Sequence, residues 1–485
     1  MINNNKIFIG GKFLDSQLLF TLPVVDGYCK KNNIKTIVYE KDLPLKIINN
    51  KNLSKFLKKY QIVSLQKLMP FWYKNLLLRA VVLSIPSLLL AIRFSKKKLL
   101  TEKNWFDLQI FHSLWDTSLV SIINKRTKVN FFDIFISSLR IIFKLYEQRI
   151  LKKNKIIAAF LGHSVYESRS ILACLRQYCL HVYCHSNYSF YLQEKFKDLH
   201  WSFIKKQIFF KLIKNISSKK INKYFKLRER GKGNYEDSRC AALISSKFDK
   251  NFTYPENVIM LHIFHDSAFS LIDKNRIFID YFDWIKSTFQ ILLESKERWS
   301  IRLHPSYKRW GEDQHLIINK LIKQTKINRD QLFIDDNLTS NTFLFNNVKR
   351  LVTYSGTSHL ESATFGIKPI VISEVTLSNF NKKFVLKPRN LEEYRKLILR
   401  SSNDELFKMN KKSVTTSKQI LYVRENYLKF QEELKGIRVY RGDPDYFINK
   451  DFDIINNNIK RNYNFLRLMG LSFSNNKNYI KPIKF

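Results

Sequence analysis

Glycine is scarce in this chain. Only 12 of its 485 residues are glycine, where average usage would give about 34. No glycine-rich dinucleotide fingerprint and no Walker loop are present, which argues against a Rossmann-type oxidoreductase. Cysteine is sparse and odd in number: Cys29, Cys174, Cys179, Cys184 and Cys240. Three of these recur every fifth residue with His181 and His185 among them, but zinc sites pair their ligands at closer spacing. Leu180, Val182 and Tyr183 around them read instead as a buried strand. An odd cysteine count, with an opening Ile7-Phe8-Ile9 too short for a secretory core, leads to the expectation of a reducing cytoplasm. Long apolar runs are missing too. The uncharged core of the most apolar segment, Ala80 to Ile92, contains Pro86 and falls short of the roughly 20 residues a membrane span needs.

Acidic residues are the other shortage. There are 41 Asp and Glu against 84 Lys and Arg, a formal net charge of +43. Such a balance suits nucleic acid, anionic lipid or an anionic sugar polymer. No Cys/His finger, RNA-binding strand motif or basic zipper stands in the chain, so nucleic acid is not expected as a partner. Lys, Asn, Ile and Phe are abundant together, and this compositional bias supplies much of the lysine. Hydrophobic residues make up 45 % and aromatics 14 %, enough for a globular chain of two or three domains.

The most informative stretch runs from Trp299 to Ile372. Ser300-Ile301-Arg302-Leu303-His304-Pro305 is a short apolar strand ending in a charged turn. About 50 residues later, Arg350 to Thr353 predicts a strand, Tyr354 to Thr357 a turn with Gly356 at its tight point, and Ser358 onward a helix. Thr357 or Ser358 is placed to cap that helix through its hydroxyl. Gly366 and Pro369 close it, and Pro369 to Ile372 restarts a buried strand. A turn feeding a helix start aims free N–H groups at one spot, and the hydroxyls of Ser355, Thr357 and Ser358 crowd there. Glu361 lies about one turn on and could accept from ribose hydroxyls, or serve only as a capping-box partner. His304 adds a donor from a neighbouring loop, because carboxyl-end loops of a parallel sheet converge on one crevice.

These two blocks, Arg-Leu-His-Pro and Tyr-Ser-Gly-Thr-Ser-His-Leu-Glu-Ser-Ala-Thr-Phe-Gly-Ile-Lys-Pro-Ile-Val-Ile, resemble the C-terminal half of bacterial GT-B glycosyltransferases of capsule and lipopolysaccharide synthesis. The nearest groups are capsular Kdo transferases, polysialyltransferases and teichoic-acid glycerophosphotransferases. The likeness is clear over about residues 255–400 and loose before that. It implies an α/β GT-B fold, two Rossmann-like domains facing across a cleft. It also implies that Arg302, His304, Ser355, Gly356, Thr357 and Ser358 bind the donor nucleotide, with Glu361 on its ribose. The donor would be a CMP-, UDP- or GDP-linked sugar and the acceptor a glycan or glycolipid. The expected reaction is sugar transfer to a growing surface polysaccharide or lipopolysaccharide. The alternatives are a CDP-polyol phosphotransferase of the same fold and a non-catalytic basic protein that binds polymer or membrane.

The expected domains are 1–254 for the acceptor, with a helical insertion at about 70–150, then 255–435 for the nucleotide sugar and a basic tail at 436–485. The apolar 71–98 segment suits either a buried helical hairpin broken at Pro86 or an interfacial helix on an anionic leaflet. The second reading would make the protein peripheral on the inner membrane. Two loops carry the catalytic candidates. His163 and Glu167 follow the strand Lys155 to Leu161 and could take a proton from the acceptor hydroxyl. Asp266 follows the expected strand Val258 to Phe264, which contains His262, and lies in the loop that faces the donor in GT-B proteins. Ser164 as a plain cap, and Glu167 paired with Arg169, are the bland readings. No Asp-x-Asp pair stands outside the tail, where Asp443-Pro444-Asp445 and Asp451-Phe452-Asp453 have that spacing. Metal-independent turnover without a cofactor is therefore expected.

Overall fold

The computed structural model describes residues 5–10, 15–51, 53–95, 131–162, 171–172, 175, 179, 181–186, 189–192, 209–210, 213–214, 216–229, 253–264, 277–278, 281–305, 307–308, 312–336, 339–373, 377, 380, 382–427 and 467. The chain divides into two compact units, each built on a mainly parallel sheet with helices connecting its strands.

The first unit holds β1 (Lys6–Gly10), β2 (Thr36–Tyr39), β3 (Gln61–Ser64), β4 (Ile156–Leu161), β5 (His181–Ser186) and β6 (Ser189–Leu192) in the order β3-β2-β1-β4-β5-β6. Only β6 runs antiparallel, as the return arm of a hairpin with β5. Phe8, Val38, Ala159, Leu161 and Val182 are fully enclosed. Strands covered on both faces read as continuous apolar runs, which is why β1, β2, β4 and β5 are legible in the sequence. The helix α1 (Asp15–Lys31) links β1 to β2, and α2 (Leu76–Ser95) packs against α3 (Phe131–Lys153) between β3 and β4. The expected break at Pro86 does not occur: α2 runs unbroken through it. Pro86 leaves the carbonyl of Val82 without its helical donor, and Val82 is exposed, so water can serve that carbonyl. The cysteine run contains no metal geometry in its described part. Cys179 bonds the Ile156 carbonyl through its thiol, and Cys184 lies enclosed on β5.

The second unit holds α4 (Ser218–Glu229), β7 (Asn257–Met260), α5 (Tyr281–Leu292), β8 (Trp299–Arg302), α6 (Gln314–Thr325), β9 (Leu332–Asp335), α7 (Asn341–Asn347), β10 (Arg350–Thr353), α8 (Ser358–Thr364), β11 (Ile370–Val371), α9 (Leu391–Leu399) and α10 (Lys411–Tyr427). Its all-parallel sheet has the order β11-β10-β7-β8-β9. The chain enters this unit before α4, earlier than the expected boundary at 254, because Tyr224 packs edge-on against Tyr422 of α10. It leaves at residues 426–427. Residue 467 belongs to the first unit, where Arg467 pairs with Asp26 at 3.0 Å.

The expected strand from Val258 to Phe264 stops at Met260. Beyond it the backbone finds other partners. Leu261 N–H donates to the Arg302 carbonyl at 3.0 Å and Phe264 N–H to the Glu312 carboxylate at 3.0 Å. Residues 261–264 are therefore a loop at the carboxyl edge of the sheet.

Candidate functional site

In the second sheet, strand order reverses direction between β7 and β10, with β8 on the far side of β7. Ligands of open α/β sheets bind outside the carboxyl ends of the strands at such a switch point. Three loops leave that edge here: residues 261–264 after β7, Leu303 onward after β8, and Tyr354 to Thr357 after β10. The parallel register of β7, β8 and β10 puts His304 and Thr357 on the same edge.

The turn after β10 closes on a histidine that sequence reading had left inside a strand. His262 Nε2 lies 3.0 Å from Thr353 Oγ1 and accepts from Ser355 N–H at 3.2 Å. With Nε2 accepting, the neutral ring carries its proton on Nδ1, an assignment made from this bonding pattern. Gly356 has φ +76°, and a Cβ there would lie 2.4 Å from His262 Cε1. Glycine thus meets two demands at once, a left-handed backbone and room for the imidazole. His359 locks the same turn through a hydrogen bond between its Nδ1 and the Gly356 carbonyl. Its Nε2 is buried and has no hydrogen-bond partner among the described residues.

The hydroxyls are arranged differently from the expectation. Thr357 occupies the cap position in helical conformation and makes no side-chain cap bond. Ser358 donates instead to Thr353 Oγ1 at 3.3 Å. Ser355, Gly356, Thr357 and Ser358 all remain partly exposed. Because α8 has only seven residues, the chemistry of this corner rests on turn N–H groups, hydroxyls and imidazoles more than on a helix dipole. At its far end α8 closes as expected: Gly366 is left-handed at φ +93°, Gly366 N–H reaches Ala363 O, and Ile367 N–H reaches Ser362 O.

A buried glutamine ties two of the loops together. Gln314, fully enclosed at the start of α6, donates through Nε2 to the His262 carbonyl at 2.8 Å and to Glu312 at 3.1 Å. Its Oε1 accepts His304 N–H at 2.8 Å. The backbone positions of His262 and His304 are thereby coupled through one side chain. The sequence does carry a signal for this, an amide ten residues beyond His304 at a helix start, but nothing local says which loops it joins.

Burial holds the imidazoles neutral. It lowers His262 to about 4 and His359 to about 3. The His304 ring is enclosed although the residue keeps some exposed surface, and burial, then the nearby His262, hold it well below the usual histidine range. At neutral pH these rings are hydrogen-bonding groups and not cations.

Two expected donor residues have other occupations. Arg302 is buried at 2 % exposure. Its guanidinium donates to Asp335 Oδ2 at 2.6 Å, to Thr339 Oγ1 at 3.0 Å and to the Thr339 carbonyl at 2.7 Å. Tyr254 donates to the same Asp335 oxygen at 2.7 Å. Glu361 is buried and accepts from Asn341 Nδ2 at 3.0 Å. His163, Glu167 and Asp266 lie outside the described residues.

No protein-family model matches the chain, and no curated protein matches it either. Among solved structures it is similar to the UDP-GlcNAc 2-epimerase of Methanocaldococcus jannaschii in complex with UDP-GlcNAc and UDP. That match has 12 % identity and a TM-score of 0.29, and covers 86 % of this chain and 99 % of that one. A trehalose-6-phosphate synthase matches at 12 % identity and TM-score 0.31, covering 87 % and 95 %. The UDP-GlcNAc 2-epimerase of Neisseria meningitidis matches at 12 % identity and TM-score 0.25, covering 87 % and 99 %. At these scores the likeness assigns no substrate and no residue role.

Proposed function

We propose that the chain is a sugar-nucleotide-dependent glycosyltransferase whose donor phosphates rest at the switch point of the second sheet. The observation that carries this reading is the closure of the Ser355–Ser358 turn on His262, with His304 tied to the same edge through Gln314. A left-handed glycine turn with neighbouring hydroxyls and N–H groups fits a diphosphate or phosphate ester, because it offers several donors and no bulk. In the reaction, an acceptor hydroxyl attacks the anomeric carbon, the bond from that carbon to the nucleotide's phosphate oxygen breaks, and the leaving phosphate keeps the electron pair. The turn donors and His304 stabilise that developing charge. The hydroxyl proton passes to a base, for which His163, Glu167 and Asp266 are the proposed candidates.

The two units would act as a GT-B pair, the first receiving a glycan or glycolipid acceptor and the second a CMP-, UDP- or GDP-linked sugar. Capsule or lipopolysaccharide synthesis at the cytoplasmic face of the inner membrane is the proposed setting. Arg302 and Glu361 enter as supports, Arg302 anchoring the end of β8 and Glu361 tying α8 to α7.

The test is calorimetric titration of the purified protein with CMP, CDP, UDP and GDP, followed by transfer assays with the matching sugar nucleotide, with and without EDTA. One nucleotide should bind, and His304→Ala should lower its affinity or the transfer rate by about 100-fold or more, as expected for a lost donor to the leaving group. EDTA should leave turnover unchanged. Unaltered binding and turnover in His304→Ala would remove the proposal.

A further inference from the structure

The molecule carries a second feature that the donor chemistry does not use. Helix α2 buries Leu83, Ser87, Leu90 and Ala91, a stripe at helical spacing. Its opposite stripe, at four-residue steps, is apolar and bare: Leu77 is 77 % exposed, Val81 65 %, Ile85 66 % and Leu89 64 %. Phe71, just before α2, and Phe132, at the start of α3, are similarly exposed at 77 % and 67 %. A bare apolar helix stripe of this kind on a folded domain marks a contact with a partner or a membrane.

The charge around it selects the occupant. From Leu43 to Thr101 there is no Asp or Glu, while the same 59 residues contain 12 Lys and Arg. Lys67 and Lys74, in the described part of that stretch, are exposed. A second copy of the chain would bring the same positive surface against itself, which opposes pairing. An anionic lipid headgroup layer meets both properties, since basic residues contact the headgroups while the aliphatic and aromatic side chains enter the acyl boundary. No helix among the described residues is long and apolar enough to cross a membrane, so α2 suits a position in the plane of the interface.

We propose that the α2 stripe with Phe71 and Phe132 is a docking face for an anionic bilayer surface. It deepens the acceptor half of the proposed function, and it needs none of the donor chemistry. Docking here would hold the first unit beside a membrane-borne glycolipid.

The experiment is flotation of the full-length protein with phosphatidylcholine vesicles, with and without phosphatidylglycerol, alongside light scattering and nucleotide titration of the same preparations. Wild type should float with phosphatidylglycerol vesicles and float less at high salt. Leu77→Asp/Ile85→Asp should lose at least about tenfold in partitioning while keeping its unfolding temperature and nucleotide affinity, because both positions are exposed. Lys67→Glu/Lys74→Glu should weaken the response to phosphatidylglycerol. Failure of wild type to float, or undiminished flotation of Leu77→Asp/Ile85→Asp, overturns the proposal. So does a solution dimer that this double variant dissociates, since the occupant would then be a second copy. Loss of nucleotide binding with flotation intact counts against the donor reading only.

Discussion

At residue scale the site depends on one glycine and several neutral imidazoles. Gly356→Ala would place a methyl against His262 and force a left-handed backbone on alanine. A cost of about 1–3 kcal/mol in stability is expected, with a larger loss of nucleotide affinity, measurable by denaturant unfolding and titration calorimetry. Retained affinity would show that the turn does not hold the ligand. Burial lowers His262 to about 4 and His359 to about 3, whereas in the unfolded chain each titrates near its ordinary value of about 6.5. Between those values the unfolded state binds more protons than the folded state. Stability should therefore rise with pH from about 4 to about 6.5 and then level off, by up to about 1.4 kcal/mol per pH unit for each group. Unfolding free energies at a series of pH values check this, and His359→Gln should flatten the slope. An unchanged slope would mean that His359 is not titrating in that window.

At element scale the loops after β7 and β8 are held by Gln314 more than by their own sequences. Gln314→Leu keeps the size but strands the His304 N–H and the His262 carbonyl. It should cost about 1–3 kcal/mol for each buried group left unsatisfied. It should also weaken nucleotide binding without touching the nucleotide. Gln314→Glu keeps an acceptor for His304 N–H and should recover part of the affinity. Equal defects in both variants would point to a packing role alone. The elements themselves were largely legible. β10 has the bounds, Arg350 to Thr353, that its residue pattern predicts. β3 and β6 were not anticipated, because Gln61–Ser64 and Ser189–Leu192 are short edge strands whose residues show no strong apolar run.

At the scale of the whole molecule, charge and site chemistry separate. The excess of +43 acts over distances that salt screens within about 10 Å at 0.1 M. The candidate donor site, by contrast, is built from neutral rings, hydroxyls and backbone N–H groups at short range. Donor affinity should change little between low and high salt, while association with anionic acceptor polymer or vesicles should fall steeply. Parallel titrations at two ionic strengths measure both. A donor affinity that collapses with salt would show that distant lysines, and not the turn, hold the nucleotide.

The amino-acid sequence by itself determined the α/β class, most strands, the glycine turn after β10 and the closing of α8. Those features follow from local conformational preference and from apolar runs that must be buried. Only the tertiary structure decided that Arg302 faces Asp335, that Glu361 is held by Asn341, that Ser358 turns to Thr353 instead of capping its helix, and that His262 and Gln314 tie together the loops at this edge of the sheet. Each of these is a choice between partners far apart in the chain. Such choices are settled by which buried polar groups would otherwise go unpaired, a cost that no local pattern encodes.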